Sequence, residues 1–357
     1  MHLSLLAIDW FLIVEKLILI AIIVSVSLLV AMYETYAERK VAAFIQDRRG
    51  PNRAGPFGIL QPVADGLKLF MKEEIVPNLS NRFLFILGPG LAMLTAMMTS
   101  AVVPWSSHLE LFGRNVELQI ADVNIGILYI FGVVSMGVYG VMIGGWASNN
   151  KFSLLAAIRG ASQIISYELA MGLSLIALLM LTQTLSLKTI VAQQQDGIYF
   201  FFKQPVGFLI FLVCAFAECN RTPFDLSEAE SELNFGYHQE YSSMKLGFYL
   251  FAEYVNMFIS SAVMATLFFG GYDIPFVNDT SFGASHGQNL LAILQGLSLF
   301  LKVAIFIFFF IWVRWTVPRF RYDQLMRLGW KGLIPLALLN MIVTGFLILL
   351  KQNHWHF

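Results

Sequence analysis

The sequence predicts an all-α fold, a polytopic integral membrane helix bundle with about eight transmembrane helices, an interfacial amphipathic helix and a structured acidic loop. Hydrophobic residues make up 57% of the 357 residues, charged residues only 13%, and the mean hydropathy is +0.69. This chain is far more apolar than a soluble domain. Apolar runs of about 20 residues, long enough to cross about 30 Å of hydrocarbon, recur along its whole length.

Eight such runs are predicted to span the membrane as one domain, residues 1–357. They lie near 11–33, 83–104, 124–146, 161–182, 200–218, 246–269, 290–313 and 333–350. The fifth is the weakest, because Lys203, Gln204 and Pro205 interrupt it, and it reaches full length only by running through Glu218. The first is too long for a signal-peptide core and is followed by charge, which predicts a retained helix.

The distribution of Lys and Arg predicts the orientation. The loop between spans one and two carries eight of them and the loop between spans seven and eight carries five, whereas the even-numbered loops carry few. By the positive-inside rule, the odd-numbered loops face the cytoplasm and both termini lie outside. The cytoplasmic loops are predicted near residues 34–82, 147–160, 218–245 and 314–332.

No redox or nucleotide motif accompanies these spans. Cys214 and Cys219 form no CxxC pair, which argues against an iron–sulfur site or a disulfide framework. All six histidines fall outside the predicted spans, so paired haem ligands inside the bundle are not expected. The sequence contains neither a G-x-G-x-x-G motif after a strand-like run nor a Walker A motif, and no metal site is predicted.

Four acids are predicted at similar depth in the inner half of the bilayer: Glu34, Glu168, Glu218 and Glu253. Acids in spanning helices usually face a bundle interior or a hydrated cavity, and they often mark a proton or ion path. The alternative is that each acid is paired and only holds helices together. Lys302, near the middle of span seven, is either a counter-ion for one of these acids or a snorkelling side chain.

Two loops add further candidates. Residues 218–245 contain six acids against two bases, and Ser227 to Glu230 has the S-x-x-E form of a capping box, which predicts a helix beginning at Ser227. Residues 59–72 place apolar side chains at helical spacing, which predicts an amphipathic helix at the membrane interface. Such a helix is either an interfacial anchor or lid, or a wall of a ligand site.

Four long segments carry a family resemblance. They are ERKVAAFIQDRRGPNRAGPFGILQPVADGLKLFMKE, GWASNNKFSLLAAIRGASQIISYELA, AECNRTPFDLSEAESELNFGYHQEYSSMKLGFYLFAEYVNM and RWTVPRFRYDQLMRLGWKGLIPLALLN. Together they resemble the H-type membrane subunit of bacterial NADH:quinone oxidoreductase, respiratory complex I, over roughly residues 34–340. Cys219 stands where that family commonly has threonine and Tyr237 where phenylalanine is frequent, and neither change removes a charge.

The resemblance implies a multi-pass subunit of a proton-pumping translocase in the bacterial inner membrane, with both termini periplasmic, that forms part of the quinone chamber. Its partners would be the peripheral-arm quinone-module subunits, neighbouring membrane-arm subunits and lipid, with no nucleic acid. Quinone would be a substrate, no cofactor would be covalently bound, and NADH, FMN and iron–sulfur clusters would belong to partner subunits.

The resemblance also implies two sets of residues. The quinone-binding set is Arg39, Phe57, Gln61, Asp65, Lys68, Arg221 and Phe224. The proton-coupling set is Glu34, Glu168, Glu218, Asp225, Glu228, Glu230, Glu232 and Glu253. Nearby carboxylates with raised, coupled pKa values can change protonation when a quinone is reduced.

Three alternatives remain at this point. One is the anchor subunit of a related membrane-bound hydrogenase or dehydrogenase, although the RRGPNRAGPFGILQPVADGLKLF segment favours the quinone-reducing branch. Another is a stand-alone proton-coupled transporter, against which the lack of internal repeats and of spans broken by glycine and proline in matching halves argues. The third is a purely structural anchor.

Overall fold

The computed structural model of the chain describes residues 10–111, 114–195, 197–275 and 287–352, without the side chains of Leu111, Glu230 and Ser231. The helices are α1 (Trp10–Ile45), α2 (Gln61–Met71), α3 (Arg82–Thr99), α4 (Gly126–Ala147), α5 (Lys151–Thr182), α6 (Leu187–Gln195), α7 (Phe200–Lys203), α8 (Pro205–Glu218), α9 (Glu230–Leu233), α10 (Ser243–Phe268), α11 (Gln288–Thr316), α12 (Tyr322–Arg327) and α13 (Ile334–Gln352). A small antiparallel hairpin, β1 (His108–Leu111) and β2 (Arg114–Glu117), joins α3 to α4. A π-helical turn, Leu328–Leu333, makes α12 and α13 continuous.

The predicted fold class is confirmed: the chain is an all-α, multi-pass membrane protein. Within the described ranges, seven helical segments are long and apolar enough to cross a bilayer. The fifth predicted span consists of α7 and α8, which meet at Gln204, where the backbone is not helical and Pro205 starts the new helix. At 1.5 Å per residue α8 is about 21 Å long, shorter than a hydrocarbon core.

Two spanning helices extend well into the predicted cytoplasmic loops. Helix α1 continues from the predicted end near residue 33 to Ile45. Helix α5 begins at Lys151, where the side chain of Asn150 accepts a hydrogen bond from the Phe152 amide. The basic loops are therefore built largely on rigid helices, and the acids near their ends have fixed positions.

The odd-numbered loops meet on one side of the bundle, which we call the basic side. The contacts that join them are Asp225 to Arg319, Asn150 to Glu240, Arg159 to Glu232 and Lys245 to Glu74. On the opposite side, Lys188 of α6 pairs with Glu117 of the hairpin and Ser106 binds the carbonyl of Ala292 in α11. The odd-numbered and even-numbered loops therefore lie on opposite sides of the bundle.

Helices α3, α4 and α10 approach one another through glycines. A Cβ on Gly144 would overlap the hydroxyl of Tyr249, and a Cβ on Gly140 would lie 2.8 Å from the Ala92 amide nitrogen. The Tyr249 hydroxyl donates to the Gly140 carbonyl at 3.1 Å. These contacts set the position of α10 against α4, and α10 carries Glu253 and Tyr254 of the candidate site.

The amphipathic helix is observed as α2, whose side chains Val63, Leu67, Phe70 and Met71 are exposed. The prediction that a helix begins at Ser227 is wrong, because α9 begins at Glu230. Ser227 is fully buried, with its Cβ against Gly160 of α5 and its carbonyl against Gly236. The backbone at Ser227 is therefore positioned by tertiary packing, and not by the predicted capping box.

Candidate functional site

The centre of the site is a carboxylate that the sequence analysis missed, Glu38 of α1. Its side chain is 8% exposed. One oxygen lies 2.6 Å from Nη1 of Arg314, and the other accepts a hydrogen bond from the Tyr254 hydroxyl at 2.7 Å and lies 3.6 Å from Nη1 of Arg221. The Arg221 guanidinium also stacks 4.1 Å from the centre of the Tyr254 ring. Glu38 therefore joins α1, the loop after α8, α10 and α11.

A signal for Glu38 was present in the sequence. Glu34 was expected to end the first span, but α1 continues, and a residue four positions on lies on the same helix face. The ETYAE spacing of Glu34 and Glu38 has this form, so both side chains turn into the protein and both residues are buried. Recognising it required knowing that the helix runs past the predicted membrane boundary.

A cavity of about 530 Å³ lies between α1, α2 and α10, and we call it the α2 cavity. Glu38 and Tyr254 line it, together with Arg39, Asp65 and Lys68 of the quinone-binding set. Its apolar wall includes Leu69, Leu246, Leu250, Phe251 and Trp315. A largely apolar cavity with a few polar groups at one end is typical of small-molecule sites, and this volume is within their usual range.

The quinone-binding set is only partly gathered around this cavity. Arg39 pairs with Asp65 at 2.7 Å, and Gln61 donates to Asp65 at 3.1 Å. Phe57 is 79% exposed outside the cavity lining, and its carbonyl accepts the Tyr36 hydroxyl.

The last two members of the set lie behind the cavity. Phe224 is buried against the Tyr167 ring, with centroids 5.2 Å apart. Arg221 is not a lining residue and contacts the cavity wall through Glu38 and the Tyr254 ring.

Asp225, Glu228, His238 and Glu253 form what we call the acid cluster. Asp225 pairs with Arg319 at 2.7 Å, and Nδ1 of His238 lies 3.2 Å from Oε1 of Glu228. One ligating atom each of Glu228, His238 and Glu253 lies within 4.8 Å of the others. The Tyr237 hydroxyl donates to Glu253 at 3.2 Å.

Burial and neighbouring charges give Asp225 and Glu228 of this cluster different pKa values. Burial, reinforced by the negative charge of Glu228, raises the pKa of Asp225 to about 7 against the opposing effects of Arg319 and Arg221. Burial also raises the pKa of Glu228, but pairing with His238, a hydrogen bond with Glu253 and the charge of Arg221 outweigh it, and the pKa falls to about 2. Two neighbouring carboxyls thus titrate in different pH ranges.

Two small cavities extend from the cluster into the membrane. One of about 50 Å³ is lined by both Glu253 and Glu218, with Asn220, Tyr237 and Asn256. Another of about 30 Å³ continues from Glu218 between α4, α5 and α10. Each has room for a water molecule, and the first has polar groups to bind one.

The remaining members of the proton-coupling set lie apart. Glu168 accepts a hydrogen bond from Ser135 of α4. Glu34 lines a separate apolar crevice of about 370 Å³ between α1 and α11, and among the described residues neither of its oxygens has a hydrogen-bond partner. Glu232 pairs with Arg159 on the surface at 2.9 Å. The Glu230 side chain lies outside the described part of the chain.

Lys302 is far along α11 from the acid cluster. Its Nζ donates to the carbonyls of Phe269, Gly271 and Asp273 at 2.9, 2.8 and 2.7 Å. These carbonyls follow the C-terminus of α10, where a cation is favourable. The contacts of Lys302 therefore stabilise the end of α10 remote from the acids.

Comparison with known proteins gives the family. The model of the NADH dehydrogenase family matches residues 17–345. The chain belongs to this family. The first of the H-type subunits of the NADH-quinone oxidoreductase of Cytophaga hutchinsonii is 64% identical over 336 residues, 94% of this chain and 97% of the relative.

Two further relatives have the same description. The H-type NADH-quinone oxidoreductase subunit of Flavobacterium psychrophilum is 64% identical over 95% of this chain and 98% of its own. The first such subunit of Geobacter metallireducens is 48% identical over 93% of this chain and 96% of its own length. The predicted resemblance to the H-type membrane subunit is confirmed, and with it a subunit of an oxidoreductase complex.

Replacing Glu38 by Gln is expected to lower the stability of the assembled complex more than replacing Tyr254 by Phe. E38Q leaves the buried guanidinium of Arg221 and the partly exposed one of Arg314 without their carboxylate, and breaking a buried pair in this way typically costs about 3–5 kcal/mol. Y254F removes one hydrogen bond to a charged group, worth about 1.5–3 kcal/mol. Thermal unfolding of the purified complex measures both. Equal midpoints for E38Q and wild type would contradict the central role of Glu38.

The raised pKa of Asp225 predicts a pH dependence of stability. A carboxyl that binds its proton more tightly when folded loses stability as pH rises from its unfolded pKa of about 3.9 towards the folded value. Between pH 5 and 8 the melting temperature of D225N should fall less than that of wild type. D323N, which changes an exposed acid of α12, is the control. Parallel curves for D225N and wild type would exclude this contribution.

Proposed function

We propose that this chain is the membrane subunit of a proton-pumping NADH:quinone oxidoreductase in which the α2 cavity takes the quinone. The observation that carries the proposal is the cavity itself, with its apolar wall and its polar end at Glu38, Arg39, Asp65 and Tyr254. An apolar wall suits a lipid-soluble ring and tail, and hydrogen-bonding groups at one end suit two carbonyl oxygens. Helix α2 would present the opening of the cavity to the membrane interface.

The second part of the proposal concerns protons. Reduction of a quinone to a quinol consumes two electrons and two protons, and the electrons would come from partner subunits. Arg221 connects the cavity to the acid cluster, because it pairs with Glu38 and its charge acts on Glu228 and Glu253. Glu253 and Glu218 then share the 50 Å³ cavity. These contacts support a coupling path from Glu38 through the cluster to Glu218, with Glu168, Glu34, Glu230 and Glu232 beside it.

Location and partners follow from the same features. The basic side of the bundle would face the bacterial cytoplasm, with both termini periplasmic, and would dock the peripheral-arm subunits that carry NADH, FMN and iron–sulfur clusters. The concentration of Lys and Arg in the first and seventh loops supports this orientation. The names of the relatives favour the quinone-reducing branch over a hydrogenase anchor or a stand-alone transporter.

Filling the α2 cavity should block quinone without changing any charge. Gly66 lines the cavity, and a Cβ there meets nothing within 4 Å, so Gly66→Leu adds an apolar side chain without a clash at its base. We expect the KM for quinone to rise about tenfold or more, which corresponds to about 1.4 kcal/mol of lost binding. Electron transfer from NADH to a water-soluble acceptor should not change.

The control is Gly90→Leu, at an exposed position of α3 that is equally open. If Gly66→Leu and Gly90→Leu both have the wild-type KM for quinone in a normally assembled complex, the quinone does not occupy the α2 cavity.

Glu253→Gln should impair the coupled reaction. The amide keeps the size of the side chain but no longer takes up a proton, and removing a positioned proton-transfer group typically slows a reaction by roughly 10². We expect losses of this size in inhibitor-sensitive NADH:quinone activity and in proton translocation by the complex in vesicles. Glu240→Gln is the control. Glu240 lies in the loop before α10 and accepts a hydrogen bond from Asn150, and its replacement should keep both activities. Wild-type rates in E253Q would remove Glu253 from the path.

A further inference from the structure

His238 is a buried titratable group that the proposed function does not yet use. It lies in a short 3-10 turn, Gly236–His238, and its side chain is fully buried. The rings of Tyr237 and Tyr249 pack against it, with centroids 3.8 and 5.3 Å away. Because this imidazole is enclosed among acids, its charge affects the ionisation of the neighbouring carboxyl groups.

The geometry around the imidazole favours its charged form. Nδ1 lies 3.2 Å from Oε1 of Glu228, and an oxygen of Glu253 lies within 4.8 Å of the same group of atoms. Within the described residues neither ring nitrogen makes a hydrogen bond of regular geometry. A neutral imidazole would leave two buried carboxyls without this cation, whereas an imidazolium pairs with them directly.

Glu228 has two close partners, the imidazole of His238 and the side chain of Glu253, which is hydrogen-bonded to it. Arg221 and Asp225 act on the pair of glutamates at longer range, and the Tyr237 hydroxyl donates to Glu253. Helices α4 and α5 pack against the 3-10 turn, and α5 contributes the hydroxyl of Ser153, which donates to the Gly236 carbonyl at 3.3 Å. The cluster is therefore asymmetric: Glu228 faces the imidazole and Glu253 faces a hydroxyl and the 50 Å³ cavity.

We propose that His238 is a positioning residue whose imidazolium keeps Glu228 ionised and so makes Glu253 the carboxyl that takes up and releases the proton. Two carboxyls this close do not both ionise readily, and a cation beside one of them assigns the proton to the other. Glu253 exchanges its proton through the cavity it shares with Glu218. This inference rests on the proposed coupling role of the acid cluster.

The same three side chains have the atom types that bind a divalent cation. The positive charge of Arg221, which acts on both Glu228 and Glu253, disfavours a doubly charged ion at this place. A proton held between the two carboxyls adds only one positive charge, so Arg221 repels it less.

The test is the replacement of His238 by Gln, which keeps a polar side chain without the charge, in the assembled complex. The acid limb of the pH profile of coupled NADH:quinone activity should move to higher pH by about one unit or more, the usual effect of losing an opposite charge at this distance. Infrared difference titration of the carboxylic acid band should show the reason. In wild type the band should disappear with E253Q and persist with E228Q, whereas in H238Q it should be reduced by E228Q as well.

Two controls make the result specific. His108→Gln changes a histidine of the hairpin on the opposite side and should leave the pH profile unchanged. The double variant H238Q/E228Q should match E228Q alone, because His238 is proposed to act through Glu228. If H238Q does not assemble, His238→Asn is measured in the same way.

An unchanged acid limb in the neutral His238 variants, or a wild-type acid band that disappears with E228Q, would overturn the role of His238. That result together with a defective E253Q would leave the proposed function standing. A fully active E253Q would instead overturn the coupling path on which this inference rests.

Discussion

The contact between Glu38 and its two arginines is the interaction on which the rest of the site depends. A buried carboxylate is stable only when it is paired and hydrogen-bonded. Glu38 meets this requirement with Arg221, Arg314 and the Tyr254 hydroxyl, which come from three different parts of the chain. Because these partners converge on one residue, the loop after α8 and helices α10 and α11 are held against α1. The α2 cavity and the acid cluster have their positions as a result.

The same contact places cavity and cluster in electrostatic communication. Arg221 is 5% exposed and lies between Glu38 on the cavity side and the glutamates on the other. In a low-dielectric interior such a charge acts more strongly than in water. A change in charge at the polar end of the cavity therefore changes the balance that Arg221 imposes on Glu228 and Glu253, without any large movement of helices.

The two sides of the bundle use their charges differently. On the basic side, the arginines pair with buried acids whose protonation can change, as the pKa of about 7 for Asp225 illustrates. On the opposite side, Lys302 is bound to three backbone carbonyls, and Lys188 pairs with Glu117 at the surface. Those contacts stabilise helix ends and a hairpin. The concentration of titratable groups on one side supports the proposal that this side is the functional one.

The sequence by itself determined the fold class, the eight helical segments, the amphipathic helix and the family, because hydropathy, helical period and long motifs are local properties of the chain. Local reasoning failed at Ser227, where tertiary packing and not a cap sets the backbone, and at Glu38, where a helix extends beyond its apolar run. Only the tertiary structure decided which charged residues meet. Pairing of Glu38 with Arg314, or of His238 with Glu228, depends on how distant segments pack, and no local pattern contains that information.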